Sequence, residues 1–170
     1  MQKPDTKLGL DDMFELVRKA DEDYRTLQEK KEKLKQKIEE YRAKQQIVAP
    51  FRPLECDLHR VLHYRYITYR FGRIAVEFYH KMQKYLMDDL KAFFVEGERD
   101  ESYVYGVYFV SQAETQKVDA VFRSLHFERI ELKDEFEGTP DTAYRVLENE
   151  IARVNLEIED LDKQAGEMLA

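Results

Sequence analysis

Two heptad seams, one at each end of the chain, limit the folds open to it. The first runs through Met13, Val17, Ala20, Tyr24, Leu27, Lys31, Leu34, Ile38, Tyr41, Gln45 and Val48, with steps alternating between four and three. Only Lys31 and Gln45 break its apolar character. The second runs through Tyr144, Leu147, Ile151, Val154, Ile158, Leu161, Ala165 and Met168. An α-helix turns once every 3.6 residues, so each set lies on one narrow stripe that another helix must cover. The simplest cover for each seam is the other, paired antiparallel. The chain then leaves along one helix, builds a globular head and returns along the second, a geometry that suits a strut with a docking head better than an active-site cleft.

Punctuation between the seams fits this arrangement. Residues 1–9 are polar and read as frayed, and Asp11 or Asp12 is placed to cap the first helix. Pro50 and Pro53 end that helix near Val48, since proline lacks an N–H and disfavours helix in the residue before it. Leu54 to Leu62 reads as a short helix. Tyr64 to Phe71 is rich in β-formers and reads as a strand, Ala75 to Asp88 as a helix, and Lys91 to Glu96 as a second strand. Gly97 to Glu101 is a polar hairpin loop and Ser102 to Val110 a third strand. Ser111 is placed to cap a helix carrying Val118, Val121, Phe122 and Leu125, and Phe127 to Leu132 is a fourth strand. Thr139 as N-cap, with Pro140 at the first helical position, starts the returning helix. The predicted class is α+β: a ferredoxin-like βαββαβ head at 50–137, inserted between a coiled-coil helix at 10–49 and a returning helix at 138–170, as a single structural unit forming an antiparallel coiled coil.

Composition narrows the chemistry. The net charge is −7, which argues against a surface that tracks nucleic-acid phosphates. The single cysteine, Cys56, permits no intrachain disulfide and fits a reducing cytoplasm. No stretch approaches the ~20 apolar residues of a membrane span. Cys56, His59 and His63 fall at i, i+3 and i+7, a spacing conceivable for a metal, but no fourth ligand accompanies them, and a helix face is the expected reading. The strand Tyr103 to Val110 resembles an aromatic RNA-binding strand but lacks the basic residue that should precede it. Arg65 and Arg70 have the character of phosphate ligands without a glycine-rich cradle, so stem packing with exposed heads is expected. No catalytic triad, P-loop or HExxH motif is present, and neither an enzyme nor a cofactor is expected. Period-two alternation nominates Tyr64 and Tyr66, with Thr68, and Tyr103 and Tyr105, with Val107, as one exposed, partner-binding sheet face.

The order of these elements resembles the cytoplasmic N-terminal half of subunit I (subunit a in eukaryotes) of V-type and A-type rotary ATPases. The similar stretches are Ala49 to Leu54, Phe71-Gly72-Arg73-Ile74, Phe122 to Glu128, and Gly138-Thr139-Pro140 with Leu147 to Ile151. The resemblance covers residues 10–165 and rests on the ordered set rather than on one motif. It implies a non-catalytic, cytoplasmic stator lobe that binds the helical heterodimer of the peripheral stalk in an ion-translocating complex. The family's membrane-proximal α/β lobe and membrane half are not in this sequence, so the expectation is an excised or truncated distal portion that itself moves no ions. The competing class is a generic coiled-coil scaffold or adaptor. The first seam outruns the second, which leaves Met13 to Ala20 uncovered and predicts weak self-association.

Overall fold

The computed structural model describes residues 6–133 and 135–169. They divide into two compact units, one of residues 6–41 and 149–169 and the other of residues 42–148.

The first unit is a pair of helices: the greater part of α1 (Thr6–Val48) and of α5 (Pro140–Leu169). Burial follows the heptad reading from Tyr24 to Tyr41 on α1 and from Ile151 to Ala165 on α5, while the seam positions Met13, Val17, Ala20 and Met168 are exposed. Tyr24, Leu27, Lys31, Leu34, Ile38 and Tyr41 are the sheltered seam positions on α1, and Ile151, Val154, Ile158, Leu161 and Ala165 those on α5. Ile38 is 5% exposed and Val154 2%, because each lies under the opposing helix. Lys31, the polar break in the first seam, extends its stem along the stripe and places its ammonium 2.6 Å from Asp162. That hydrogen bond raises the lysine pKa. Met13 and Val17 are 61% and 65% exposed, so the first part of the seam is bare. The helix already includes Thr6, which corrects the expected start at Asp11 or Asp12 and the fraying expected for 6–9; the expectation for residues 1–5 lies outside the described residues.

The second unit holds a four-stranded antiparallel sheet. Its elements are a 3-10 turn (Ala49–Phe51), α2 (Leu58–Leu62), β1 (Ile67–Ala75), α3 (Val76–Asp88), β2 (Ala92–Arg99), β3 (Tyr103–Ser111), α4 (Thr115–Ser124) and β4 (Glu128–Arg129). The strand order β2-β3-β1-β4 is that of the ferredoxin-like split βαββαβ unit expected from sequence. α3 and α4 cover one sheet face, where Ile74, Met82, Val104, Tyr108, Val118 and Phe122 form the buried core. The Tyr108 and Phe122 rings stack at 3.8 Å. Gly72 and Gly106 face each other across β1 and β3 because Phe127 and Phe94 lie over them; a Cβ on either would come within 2.5 Å of a ring carbon.

Local signals set the boundaries. Pro50 sits in the 3-10 turn that ends α1. Thr139 caps α5, its Oγ1 accepting from the Thr142 N–H at 3.1 Å, with Pro140 at the first helical position. Gly138 has φ +74°, a value that glycine adopts without a Cβ penalty. Other boundaries moved. β1 begins at Ile67 rather than Tyr64, α2 keeps only its last turn with Asp57 as cap, and β4 is two residues rather than six. Ser111 makes no side-chain cap; a 3-10 turn at Gln112–Glu114 separates it from α4.

Candidate functional site

The aromatic residues nominated from the strands do not lie on one sheet face. β1 and β3 pair antiparallel with Arg73 opposite Tyr105, Phe71 opposite Val107, and Thr68 opposite Val110. Directly opposed residues share a face. Tyr103, Tyr105 and Val107 therefore share theirs with Phe71 and Arg73. Thr68 faces the helices, where its hydroxyl meets that of Thr115 at 2.9 Å. The phase assumed for β1 was inverted by one residue. Tyr64 and Tyr66 precede the strand altogether and are 47% and 73% exposed.

The face carrying Tyr103 and Tyr105 is not bare. Phe51, fully buried in the 3-10 turn, packs edge-on against Phe71 at 5.3 Å and against Tyr105 at 6.3 Å. The Arg73 guanidinium lies 3.8 Å from the Tyr103 ring centroid, donates to the Tyr105 hydroxyl at 3.3 Å and binds Glu128 at 2.6 Å. These donated hydrogen bonds, first to Tyr105 and then to Glu128, raise the arginine pKa well above its usual value. Tyr103 and Tyr105 are thus held as a rigid, half-buried pair with rings 6.4 Å apart. Farther along the same face, toward the β2 edge, Phe93 opposes Phe109 and Val95 opposes Val107; Phe93 and Val95 are exposed.

A second polar arrangement centres on Asp119, and sequence reading missed it. Asp119 is buried on α4 between Val118 and Phe122. Its carboxylate accepts from the Tyr108 hydroxyl at 2.6 Å, from Arg70 at 3.2 Å and binds Arg129 at 3.1 Å. Burial, reinforced by the hydrogen bond to Asp119, pushes the Tyr108 phenol well above its ordinary pKa. A sequence signal existed. Asp119 is four residues after Thr115 and three before Phe122, on the apolar stripe of α4, and a carboxylate in that position needs buried partners. Arg70 and Arg129 also line a cleft of about 440 Å³ bounded by residues 64–71 and 129–132. The Arg70 Nη1 donates to the Tyr69 carbonyl at 3.3 Å, and the Nε–H is buried without a hydrogen-bond partner among the described residues.

The spacing of Cys56, His59 and His63 does not produce a shared helix face, since α2 begins at Leu58 and leaves Cys56 outside it. The His59 and His63 rings lie 4.5 Å apart, and His63 Nδ1 meets the His59 carbonyl at 2.7 Å. Among the described residues no group of three or more His, Cys, Asp or Glu side chains is placed to hold a metal ion. Nor is any described helix long and apolar enough to cross a membrane.

No protein-family model matches the chain. No curated protein matches its sequence. Among solved structures, the fold is similar to the cytoplasmic N-terminal domain of subunit I, homolog of subunit a, of V-ATPase, with a TM-score of 0.57 and 12% identity. The match covers 84% of this chain and 48% of that one, so the chain spans about half the length of the structure it resembles. At this identity the likeness establishes the shared fold.

Proposed function

We propose that this chain is a non-enzymatic stator element of a V-type or A-type rotary ATPase. It holds the helical heterodimer of the peripheral stalk at the cytoplasmic side of the complex and moves no ions itself. The observation that carries this reading is the specific order of its parts: a long helix, a split βαββαβ sheet and a returning helix, in a fold shared with a subunit I domain. The named polar groups support a structural role. Arg73 and Asp119 are engaged in tying sheet to sheet edge or sheet to helix. Tyr64 and Tyr66 remain candidate contacts, since their rings are exposed and tyrosine offers apolar area with a polar tip. Tyr103 and Tyr105 offer their outer edges from a fixed position. The bare stripe at Met13 and Val17 supports weak self-association of the isolated chain. A sedimentation experiment with one concentration-independent monomer mass would eliminate it.

The direct test is capture of purified stalk heterodimer by the chain. Tyr66→Ala is expected to weaken binding by about 1–2 kcal/mol, as an interface anchor does, without changing the melting temperature. Tyr105→Ala is expected to lose both binding and stability, because its ring is packed on Phe51. Absence of binding by the unmodified chain would reject the stator reading. Normal binding by Tyr66→Ala would reject the docking role of that residue.

A further inference from the structure

The outer edge of β2 is open. In the order β2-β3-β1-β4, β2 has a strand neighbour on one side only among the described residues. The Val95 carbonyl lies against Gly106 of β3, so the main chain of Val95 points into the sheet. Main-chain groups alternate in direction along a strand, so those of Ala92, Phe94 and Glu96 point outward. The Ala92 N–H is turned back onto the Leu90 carbonyl at 2.9 Å. The Ala92 carbonyl, both main-chain groups of Phe94 and the Glu96 N–H have no hydrogen-bond partner among the described residues. An open edge of this kind is a template for another strand.

The side chains of the edge select what kind of strand. Phe94 points to the helices, where its ring meets Tyr79 at 6.2 Å and Phe122 at 6.5 Å, and this contact fixes the strand. Phe93 and Val95, on either side of it, point to the other face and are 78% and 45% exposed. The regular pairing of β2 stops at a bulge between Glu96 and Arg99. Charge is divided between the two ends of the strand: Lys91 precedes it, and Glu96 and Glu98 lie toward its finish. A copy of the same strand laid antiparallel brings Lys91 toward the glutamates. A parallel copy would set lysine against lysine and glutamate against glutamate, which opposed pairs disfavour. The edge is therefore complementary to itself in the antiparallel sense.

We propose that β2 docks a second copy of this chain, edge to edge and antiparallel, about a two-fold axis at Phe94. The Phe94 main chains of the two copies exchange both hydrogen bonds. The Glu96 N–H of each copy donates to the Ala92 carbonyl of the other, and the Ala92 N–H stays with Leu90. Phe93 of each copy then faces Val95 of the other in a non-hydrogen-bonded pair, the kind in which opposed side chains approach most closely. Lys91 lies opposite Gly97 of the other copy, between Glu96 and Glu98. The two sheets join into one of eight strands with the exposed apolar residues gathered on one face. This contact is separate from the bare stripe of α1, and it goes beyond the stator reading, since it needs the chain alone.

The test is sedimentation equilibrium of the full chain, joined to amide hydrogen exchange at several concentrations. A monomer–dimer equilibrium is expected below about 1 mM, the range of a small interface. Exchange at the Phe94 and Glu96 amides should slow as concentration rises. Phe93→Lys is expected to weaken the dimer about tenfold at unchanged melting temperature, because the ring is exposed and the two-fold axis counts each lost pair twice. Val95→Glu should weaken it as well. An equimolar mixture of these two variants should recover association, because the new lysine of one copy then faces the new glutamate of the other. Met13→Glu combined with Val17→Glu, which removes the bare stripe of α1, should leave the dimer in place. A monomer mass up to 1 mM would overturn the proposal and leave the edge to a different chain. Phe94 and Glu96 amides that exchange alike at every concentration, or a mixture that associates no better than its components, would each overturn it too. Association lost in the α1 double variant and kept in Phe93→Lys would do the same and assign self-association to the α1 stripe.

Discussion

The helical pair and the sheet unit of this protein solve the burial problem in different ways. In the pair, each helix shelters one residue per three or four and leaves the rest in water, so the buried set is thin: among the described residues Ile38, Val154 and Ala165 are its buried apolar side chains. Its cohesion is a sum of small, nearly local contacts along a stripe, with one lysine kept in the seam by an aspartate. In the sheet unit, ten buried residues from strands and helices distant in sequence meet in one cluster, with stacked and edge-on rings and a carboxylate shared by a phenol and two guanidiniums. That core is dense and cooperative, so one deletion is felt throughout it. Loss of a seam residue is felt over a few turns. The difference makes the two regions separable by experiment.

The largest effect is expected from Phe122→Ala. The ring is fully buried and stacked on Tyr108, and such truncations cost about 3–5 kcal/mol. Hydrogen exchange should show protection lost across β1 and β3 and retained at residues 27–38. Equal loss at both places would mean that pair and sheet unfold as one, and the contrast drawn above would fail. The reciprocal variant, Ile38→Ala, is expected to cost about 2–4 kcal/mol for a buried isoleucine. Its loss of protection should fall on residues 27–38 and 151–161. Next in size is Gly72→Ala. Its methyl group would be driven into the Phe127 ring and the Glu128 carbonyl, and overpacking of this kind costs about 1–3 kcal/mol. A melting temperature unchanged in this variant would mean that the Phe127 ring swings away freely, and that the core is looser than its ring contacts imply.

The same contrast explains what could be read from sequence. The paired stretch of the seams was legible because helical periodicity is a property of one segment: Tyr24, Leu27, Leu34 and Ile38 are sheltered for reasons contained in their own spacing, whereas the same spacing did not say that Met13, Val17 and Met168 would be exposed. The βαββαβ order was legible from punctuation. The faces of β1 were not, because alternation sorts a strand into two sets but does not say which set meets the helices. That choice is made by pairing Arg73 with Tyr105 and Thr68 with Val110, between residues more than thirty positions apart. The later start of β1, at Ile67, leaves Tyr64 and Tyr66 before the strand, and the pairing register puts Thr68 on the helix side. The Arg70–Asp119–Arg129 arrangement was hidden for the same reason. Its members lie on three elements, and Asp119 alone carried a local sign as a charge on an apolar stripe. The shortness of β4, and hence the cleft, followed from no residue pattern in Phe127 to Leu132.

The smallest expected effect probes a feature of the sheet unit that is local, as the seams are. The β2–β3 connection is held by Asp100, whose Oδ1 accepts from the backbone N–H groups of Tyr103 and Ser102, each at 2.7 Å. The Asp100 N–H in turn donates to the Tyr103 carbonyl at 2.9 Å. The hydrogen bond from Tyr103, then that from Ser102, stabilises the charged carboxylate and lowers its pKa below the ordinary aspartate value. A depressed folded-state pKa means that the folded state binds this proton less readily than the unfolded chain. The contribution to stability is therefore complete above the unfolded value of about 3.9, and it is lost as pH falls through the lower folded value. Asp100→Asn retains an acceptor at the turn and removes the titration. The stability of the variant, measured as a denaturant midpoint between neutral and strongly acidic pH, should follow that of the parent chain with a slightly shallower fall at the acid end. Because the turn is local and exposed, that change should register in the amides of Tyr103 and Ser102 and leave those around Phe122 untouched. A shift that spread to the Phe122 amides would show that even this exposed turn is coupled to the cooperative core, and the division between local and non-local stabilisation would have to be redrawn inside the sheet unit itself.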